Sequence, residues 1–151
     1  MSNIPHVIIE KPAHGWSSIT IQEGDSVIFS ATFKGLLSYL DDILTMFLDT
    51  FITFLTTKTP VAIECEEEGS NFIIVILHDC IRVIVDREST TVETFYIQAK
   101  DFIEETCEEL NKNLDDWVRF TYLDESDEVN FARDKAFAMS KLETIKRKLK
   151  D

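Results

Sequence analysis

The stretch from residue 61 to residue 98 reads VAIECEEEGSNFIIVILHDCIRVIVDRESTTVETFYIQ, and it predicts a meander of β-strands joined by short polar turns. The strands are expected at 61–66, 71–77, 80–86 and 91–98. Residues 72–77 are apolar at every position, as expected of a central strand that is covered on both faces. The next strand alternates better, with Arg82 and Asp86 between its apolar residues, which predicts a place nearer an edge of the sheet.

Three further strands are predicted before this meander, at 6–10, 16–22 and 26–33. The first is expected to be an edge strand, because Pro5 and Pro12 bracket it and proline cannot donate to a sheet ladder. The second and third form a hairpin, and alternation predicts one shared face for Val27, Phe29, Ala31 and Phe33.

A helical pattern covers residues 35–55, between the two sets of strands. Its polar residues form one narrow stripe, which consists of Ser38, Asp42, Thr45, Asp49 and Thr53 with Asp41 at the margin. The remaining arc of roughly 240° is apolar, whereas a surface helix needs an apolar stripe little wider than ~100°. We therefore expect this helix to pack on two sides, against the sheet and against a second helix, with a partner subunit as the alternative. Its aspartates oppose a membrane span, because each costs roughly 2.5–3.5 kcal/mol at mid-membrane.

The last third of the chain predicts two helices. Apolar residues from Ala99 to Trp117 recur at the spacing of one helix face, and a final helix is expected at about residues 128–150. Strands and helices do not alternate along the chain, which favours an α+β fold over residues 1–151 as a single domain. We predict a mostly antiparallel sheet of about six or seven strands, one buried helix inserted between the strand sets, and two C-terminal helices.

Charge and composition exclude several classes of partner. The 28 acidic and 15 basic residues give a net charge of −13, which argues against binding to nucleic acid or to an anionic membrane. Three cysteines without C-x-x-C spacing suit a reduced, intracellular protein, and the N-terminal residues do not have the pattern of a signal peptide. The sequence therefore predicts a cytoplasmic location.

No motif for catalysis, metal or cofactor binding is evident. The four glycines form no phosphate-binding loop, and the cysteines and histidines lack the paired spacing of zinc sites, so neither a cofactor nor a metal is expected. His78, Asp79 and Cys80 are the first residues to consider if the protein is an enzyme, because a thiol beside an imidazole can act as a nucleophile. The simpler interpretation is a turn histidine and a strand cysteine.

The distribution of charge is the clearest functional signal. Residues 1–132 hold 25 acidic and 8 basic side chains, whereas residues 133–151 hold 3 acidic and 7 basic ones. Several acidic side chains on the predicted helix are like-charged neighbours at i and i+4, an arrangement that disfavours a helix. We predict that this acidic surface binds a basic protein, although a solvated face is the simpler alternative. The candidate partner-binding residues are Asp101, Glu104, Glu105, Glu108, Glu109, Asp115, Asp116, Asp124 and Glu125.

These features together resemble a known class of proteins. The chain opens with strands around Gly15 and Trp16, continues with one apolar helix, Glu66-Glu67-Glu68-Gly69 and a β-meander, and ends in charged helices. In architecture and charge it resembles the small cytoplasmic immunity proteins of bacterial toxin systems. The resemblance implies a stoichiometric inhibitor that plugs the active site of a toxin, such as a basic nuclease, or binds beside it. It assigns no functional positions.

Two other classes of function stay open at this point. The protein could be a structural or adaptor domain that dimerises through the apolar face of residues 35–55. It could also be an enzyme whose site near His78 is formed only by the folded chain.

Overall fold

The computed structural model describes residues 4–35, 42–119 and 128–151, and within them seven strands and four helices form an α+β fold. The strands are β1 (His6–Ile9), β2 (Trp16–Glu23), β3 (Ser26–Lys34), β4 (Val61–Glu66), β5 (Asn71–Ile76), β6 (Ile81–Asp86) and β7 (Thr90–Phe95). The helices are α1 (Ile43–Thr57), α2 (Ala99–Lys112), α3 (Leu114–Arg119) and α4 (Glu128–Leu149).

The strands form two antiparallel sheets, where the sequence predicted one. The first sheet has the order β1-β2-β3 and the second has the order β4-β5-β6-β7. β3 and β4 are in contact, but no ladder joins them in the described part of the chain. Residues 35–60, which include α1, separate these two strands along the chain. The predicted edge position of β1 is confirmed, whereas β6 lies inside its sheet between β5 and β7.

A β-bulge changes one prediction in the first hairpin. Phe29, Ala31 and Phe33 of β3 are buried, as the alternation predicted. The pairing shifts by one residue between Ile21 and Gln22, so that Val27 lies opposite Gln22 instead of continuing the buried face. The predicted inward position of Val27 is therefore wrong, because the extra residue of a bulge turns the strand beyond it. Its side chain is 57% exposed.

Helix α1 begins later than the sequence predicted. Asp42 has an extended backbone, and its side chain accepts a hydrogen bond from the amide of Thr45, which caps the helix ahead of Ile43. Residues 36–41, with Ser38 and Asp41 of the predicted polar stripe, lie outside the described residues. Thr45, Asp49 and Thr53 of the stripe are exposed and Asp42 is half-buried. Helix α1 packs on β4 and α4 through a buried set: Ile43, Leu44, Phe47, Leu48, Phe51, Phe54 and Leu55.

The C-terminal part holds three described helices instead of two. A break at Asn113, which caps the end of α2, separates α2 from the short helix α3. Trp117 of α3 stacks on Phe33 with ring centroids 6.2 Å apart, so the break turns this tryptophan into the core. None of the described helices is long and apolar enough to cross a membrane.

The two sheets share one core. Phe29 on β3 lies 6.0 Å from Phe72 on β5 and 5.8 Å from Phe95 on β7, measured between ring centroids. The inner faces of the sheets therefore face each other, and aromatic rings of α1, α2 and α3 close the core at the sides. Each sheet keeps a second, outer face.

Candidate interaction surfaces

Two carboxylates of the predicted acidic surface bind the free edge of β1. Glu105 Oε1 accepts hydrogen bonds from the amide of Val7, at 3.2 Å, and lies 3.0 Å from His6 Nδ1. Glu109 Oε1 accepts a hydrogen bond of 3.1 Å from the amide of Ile9. Carboxylates one helical turn apart thus satisfy alternate amides of an edge strand, where a neighbouring strand would otherwise supply carbonyls. These two side chains are structural, and Glu109 is only 8% exposed.

Three other predicted side chains form an exposed acidic row on α2. Asp101, Glu104 and Glu108 are all exposed, and no salt bridge joins them to another described residue. The candidates Asp124 and Glu125 lie outside the described residues. The predicted acidic residues of α2 therefore lie on two sides of the helix. Glu105 and Glu109 bind β1, and the other three face solvent.

The candidates on α3 have cationic neighbours. Asp115 Oδ1 lies 2.9 Å from Lys135 Nζ on α4, and Asp116 Oδ2 lies 3.7 Å from Lys11 Nζ. All four side chains keep more than a third of their surface exposed, so each pair contributes little to stability. Part of the predicted negative surface is thus neutralised by the chain itself.

A groove of about 460 Å³ runs between α2 and α4. Glu104 and Glu108 line its α2 side, and Lys146 and Lys150 line its α4 side. Opposite charges face each other across an apolar floor, so the groove has no single sign of charge. The exposed row of α2 therefore lies beside the basic helix and does not form an isolated acidic face. The floor consists of Cys107, Leu142, Ile145 and Leu149.

His78, the residue first considered for an enzymatic site, makes structural contacts. His78 Nε2 lies 2.8 Å from the carbonyl oxygen of Lys58, the residue that ends α1, and its ring lies 5.1 Å from that of Phe54. The carbonyl of His78 also accepts a hydrogen bond from the amide of Ala99, the first residue of α2. One ring nitrogen and the backbone of this residue thus join the ends of two helices.

Two of the three thiols, those of Cys65 and Cys107, are poorly suited to nucleophilic chemistry. Burial raises the pKa of the Cys65 thiol far above its ordinary value and that of Cys107 to about 12. Cys80, the third free thiol, is half-buried. Within residues 4–35, 42–119 and 128–151, no group of three histidine, cysteine or acidic side chains could hold a metal ion.

The outer face of the second sheet is apolar. In the register of the sheet, Ile73, Ile84 and Val92 lie side by side on β5, β6 and β7, and Ala62 and Val75 continue the patch in the adjacent row. None of these side chains is buried, and Val92 is 58% exposed. The inner-face residues of β5 and β6, by contrast, are at most 6% exposed. We call this surface the outer sheet face.

Carboxylates border the outer sheet face at one end. Glu64 lies beside Ile73 in the register, and Glu66 and Asp86 lie in the next row. No salt bridge involves these three carboxylates in the part of the chain that the structure describes. Arg82, in the row of Val75, is the cationic side chain of β4 to β7 on this face. The face therefore combines an apolar centre with an acidic rim.

The first sheet shows that an outer face of this protein can be polar. Its central positions are Ser18, Thr20, Ser30 and Thr32, and the hydroxyls of Thr20 and Ser30 lie 3.2 Å apart across the hairpin. Hydroxyl side chains suit a strand that faces water, because they keep β-propensity without exposing apolar surface. The second sheet has isoleucine and valine at the equivalent places. A contiguous exposed apolar patch rimmed by polar residues is typical of an interaction site.

The sequence contained a signal for this surface. The apolar run at residues 72–77 predicted a strand covered on both faces, but Phe72, Ile74 and Ile76 are buried while Ile73 and Val75 are half-buried. The described chain therefore covers only one of the two faces that the pattern predicts. Charge along the sequence indicates the acidic candidates, whereas the outer sheet face exists only once the four strands have paired.

An ion pair holds the acidic end of this sheet. Arg87 donates to both carboxylate oxygens of Glu67, at 3.1 and 2.8 Å, and Ser70 Oγ donates to the same carboxylate at 2.6 Å. The hydrogen bond from Arg87 is the main reason that the pKa of Glu67 is lowered from its ordinary value of 4.5. These contacts join the β4–β5 turn to the β6–β7 turn.

We expect the variant Arg87→Met to lose stability at neutral pH and to lose less of it in acid. The pKa of Glu67 is lower in the folded protein, so the stabilisation is complete above 4.5 and disappears as the pH falls through the folded value. Urea unfolding over a pH series should show the difference between wild type and variant shrinking below pH 4.5. Arg82→Met is the control, and a difference that stays constant with pH would contradict the assignment.

Comparison with models of known protein families, with curated proteins and with solved structures finds no match for this chain.

Proposed function

We propose that this protein is a non-enzymatic binding protein that captures a basic protein through the outer sheet face. The observation that supports the proposal is the apolar row of Ile73, Ile84 and Val92 beside the carboxylates of Glu64 and Asp86. An immunity or antitoxin-like inhibitor of a basic toxin, such as a nuclease, is the function that the resemblance of the sequence implies.

The two parts of the surface have different physical roles in the proposal. The apolar centre contributes affinity, because side chains such as Ile84 and Val92 lose contact with water when a partner covers them. The acidic rim and the net charge of −13 accelerate association with a cationic protein and orient it. The exposed row on α2, at Asp101, Glu104 and Glu108, adds to this field without forming the contact.

Charge favours a different protein over a second copy as the partner. Two copies that met through this face would bring acidic rims such as Glu64 and Asp86 close to each other, and like charges across an interface cost several kcal/mol. We further infer that α1 serves as an interior helix and not as a dimer surface, because seven of its side chains are buried within the chain. The buried apolar face of Ile43–Thr57 is then not available for the dimerisation that the adaptor alternative requires.

The test is affinity capture from the lysate of the native host, with elution by a salt gradient. We expect wild type to retain one basic protein, and the variant Glu64→Lys/Asp86→Lys to release it at clearly lower salt. The matched control Glu10→Lys/Glu23→Lys changes the net charge equally, at exposed positions of the first sheet. Each variant loses side-chain hydrogen bonds of similar kind, such as Asn71 to Glu64 in the first and Ser18 to Glu10 in the control.

The possible outcomes separate the surface from general charge. An equal loss in both variants would show that only net charge matters and would remove the outer sheet face from the proposal. Retention of no basic protein by wild type would reject the proposed function. A further variant, Ile84→Thr, keeps the β-branched shape and tests the apolar centre alone.

A further inference from the structure

We propose that the free edge of β7 accepts an extended segment of the basic partner as an additional strand. The segment would carry apolar side chains on one face and basic side chains on the other. The inference rests on the proposed function and names the form in which the partner binds. Three observations support it: the direction of the backbone groups of β7, their lack of partners among the described residues, and the side chains at this edge.

The register shows which backbone groups of β7 point outward. The amide of Leu77 donates to the carbonyl of Cys80 across the β5–β6 turn, at 3.0 Å, so β6 residues with even numbers bond to β5. Because hydrogen-bonding direction alternates along an antiparallel strand, odd-numbered residues of β6 bond to β7. They lie opposite odd-numbered residues of β7, such as Glu93. The backbone groups of Val92 and Thr94 therefore point away from the sheet.

The edge strands β1 and β7 differ in whether their outward amides have hydrogen-bond acceptors. On β1 the same alternation turns the amides of Val7 and Ile9 outward, and the carboxylates of α2 accept from both. On β7 no described residue accepts from the amides of Val92 and Thr94, and no unassigned contact involves them. Unpaired edge groups are the template for strand addition, so the outward backbone groups of β7 are open to a partner strand.

The side chains at this edge specify the chemistry of the segment. Val92 ends the apolar row of the outer sheet face, so apolar residues on the added strand would continue that row. Glu93 points to the opposite face, is exposed, and forms no salt bridge with a described residue. A lysine or arginine beside it would pair with this carboxylate. A second copy paired through β7 would instead bring two Glu93 side chains to one edge.

The direct test uses the wild-type chain and a short synthetic peptide of alternating lysine and valine. Amide hydrogen exchange at Val92 and Thr94 should slow by about tenfold or more once the peptide occupies most of the protein, because the added strand protects those groups. The scrambled peptide of equal composition, with its lysines together, is the control. Exchange at Val92 and Thr94 that does not slow, or that slows equally with the scrambled peptide, would overturn the inference.

A backbone variant separates this inference from the proposed function. Thr94→Pro removes an outward amide without touching the ladder to β6, and Thr94→Val keeps that amide. We expect Thr94→Pro to release the captured basic protein at lower salt than Thr94→Val does. If Thr94→Pro binds as well as Thr94→Val while Glu64→Lys/Asp86→Lys fails, strand addition is wrong and the proposed function stands. If all variants bind like wild type, both are wrong.

Discussion

Phe33→Ala is expected to lower the free energy of unfolding by about 3–5 kcal/mol, a large part of the ~5–15 kcal/mol available to a domain. Phe33 is fully buried, and its ring lies within 6.0–6.4 Å of those of Phe47, Phe72 and Trp117, measured between centroids. These rings belong to α1, β5 and α3, so one side chain joins the first sheet to three other elements. Removing it leaves a cavity that no single element can close.

Urea unfolding followed by tryptophan fluorescence measures this effect. Val27→Ala on the same strand is the control, because Val27 is exposed and should change stability by no more than about 0.5 kcal/mol. Phe33→Leu should fall between the two, since leucine fills part of the space. A loss below about 1 kcal/mol in Phe33→Ala would mean that the two sheets do not share this core.

Glu109→Ala is expected to lower the free energy of unfolding by about 1–3 kcal/mol, because it leaves the buried amide of Ile9 without an acceptor. Adding Glu105→Ala removes the acceptor of Val7 as well and should increase the loss. Exchange of both amides should accelerate in the double variant, since no other described group accepts a hydrogen bond from them. Thermal unfolding together with amide exchange measures both effects.

The neighbouring Glu108→Ala is the matched control. It removes the same charge from the same helix, but Glu108 is exposed and makes no hydrogen bond to a described residue. Its effect should stay within about 0.5 kcal/mol. Glu109→Gln should retain most of the stability, because its amide oxygen can still accept from Ile9. Equal losses at positions 108 and 109 would show that charge, and not the edge of β1, sets the stability.

The periodicity of side chains was sufficient for most of the secondary structure. Alternation on β2 and β3, the apolar run of β5 and the helical spacing of α2 each depend on neighbours along the chain. The prolines that flank β1 likewise identified an edge strand. The ends of the helices were harder to predict from the sequence. The start of α1 at Asp42 and the end of α2 at Asn113 depend on backbone angles that many residue types permit.

For the candidate acidic residues, too, the sequence predicted one part and only the structure showed the other. The sequence established an acidic protein, and it identified Asp101, Glu104 and Glu108 as exposed charges of one helix. It could not distinguish them from Glu105 and Glu109. A glutamate that accepts a hydrogen bond from a distant edge strand is the same residue type as a glutamate that faces water. Those contacts join residues about one hundred positions apart in the chain.

The sequence alone determined the α+β class, the edge position of β1, the negative charge and the apolar character of β5. These properties are local, since each follows from residue types and their spacing. Only the tertiary structure decided that the strands divide into two sheets and that the described chain leaves Ile73 and Val75, on one face of β5, only half-buried. It also decided that carboxylates of α2 accept from the outward amides of β1, whereas no described residue accepts from those of β7. Which surfaces meet depends on how distant elements pack, and no short stretch of sequence records that packing.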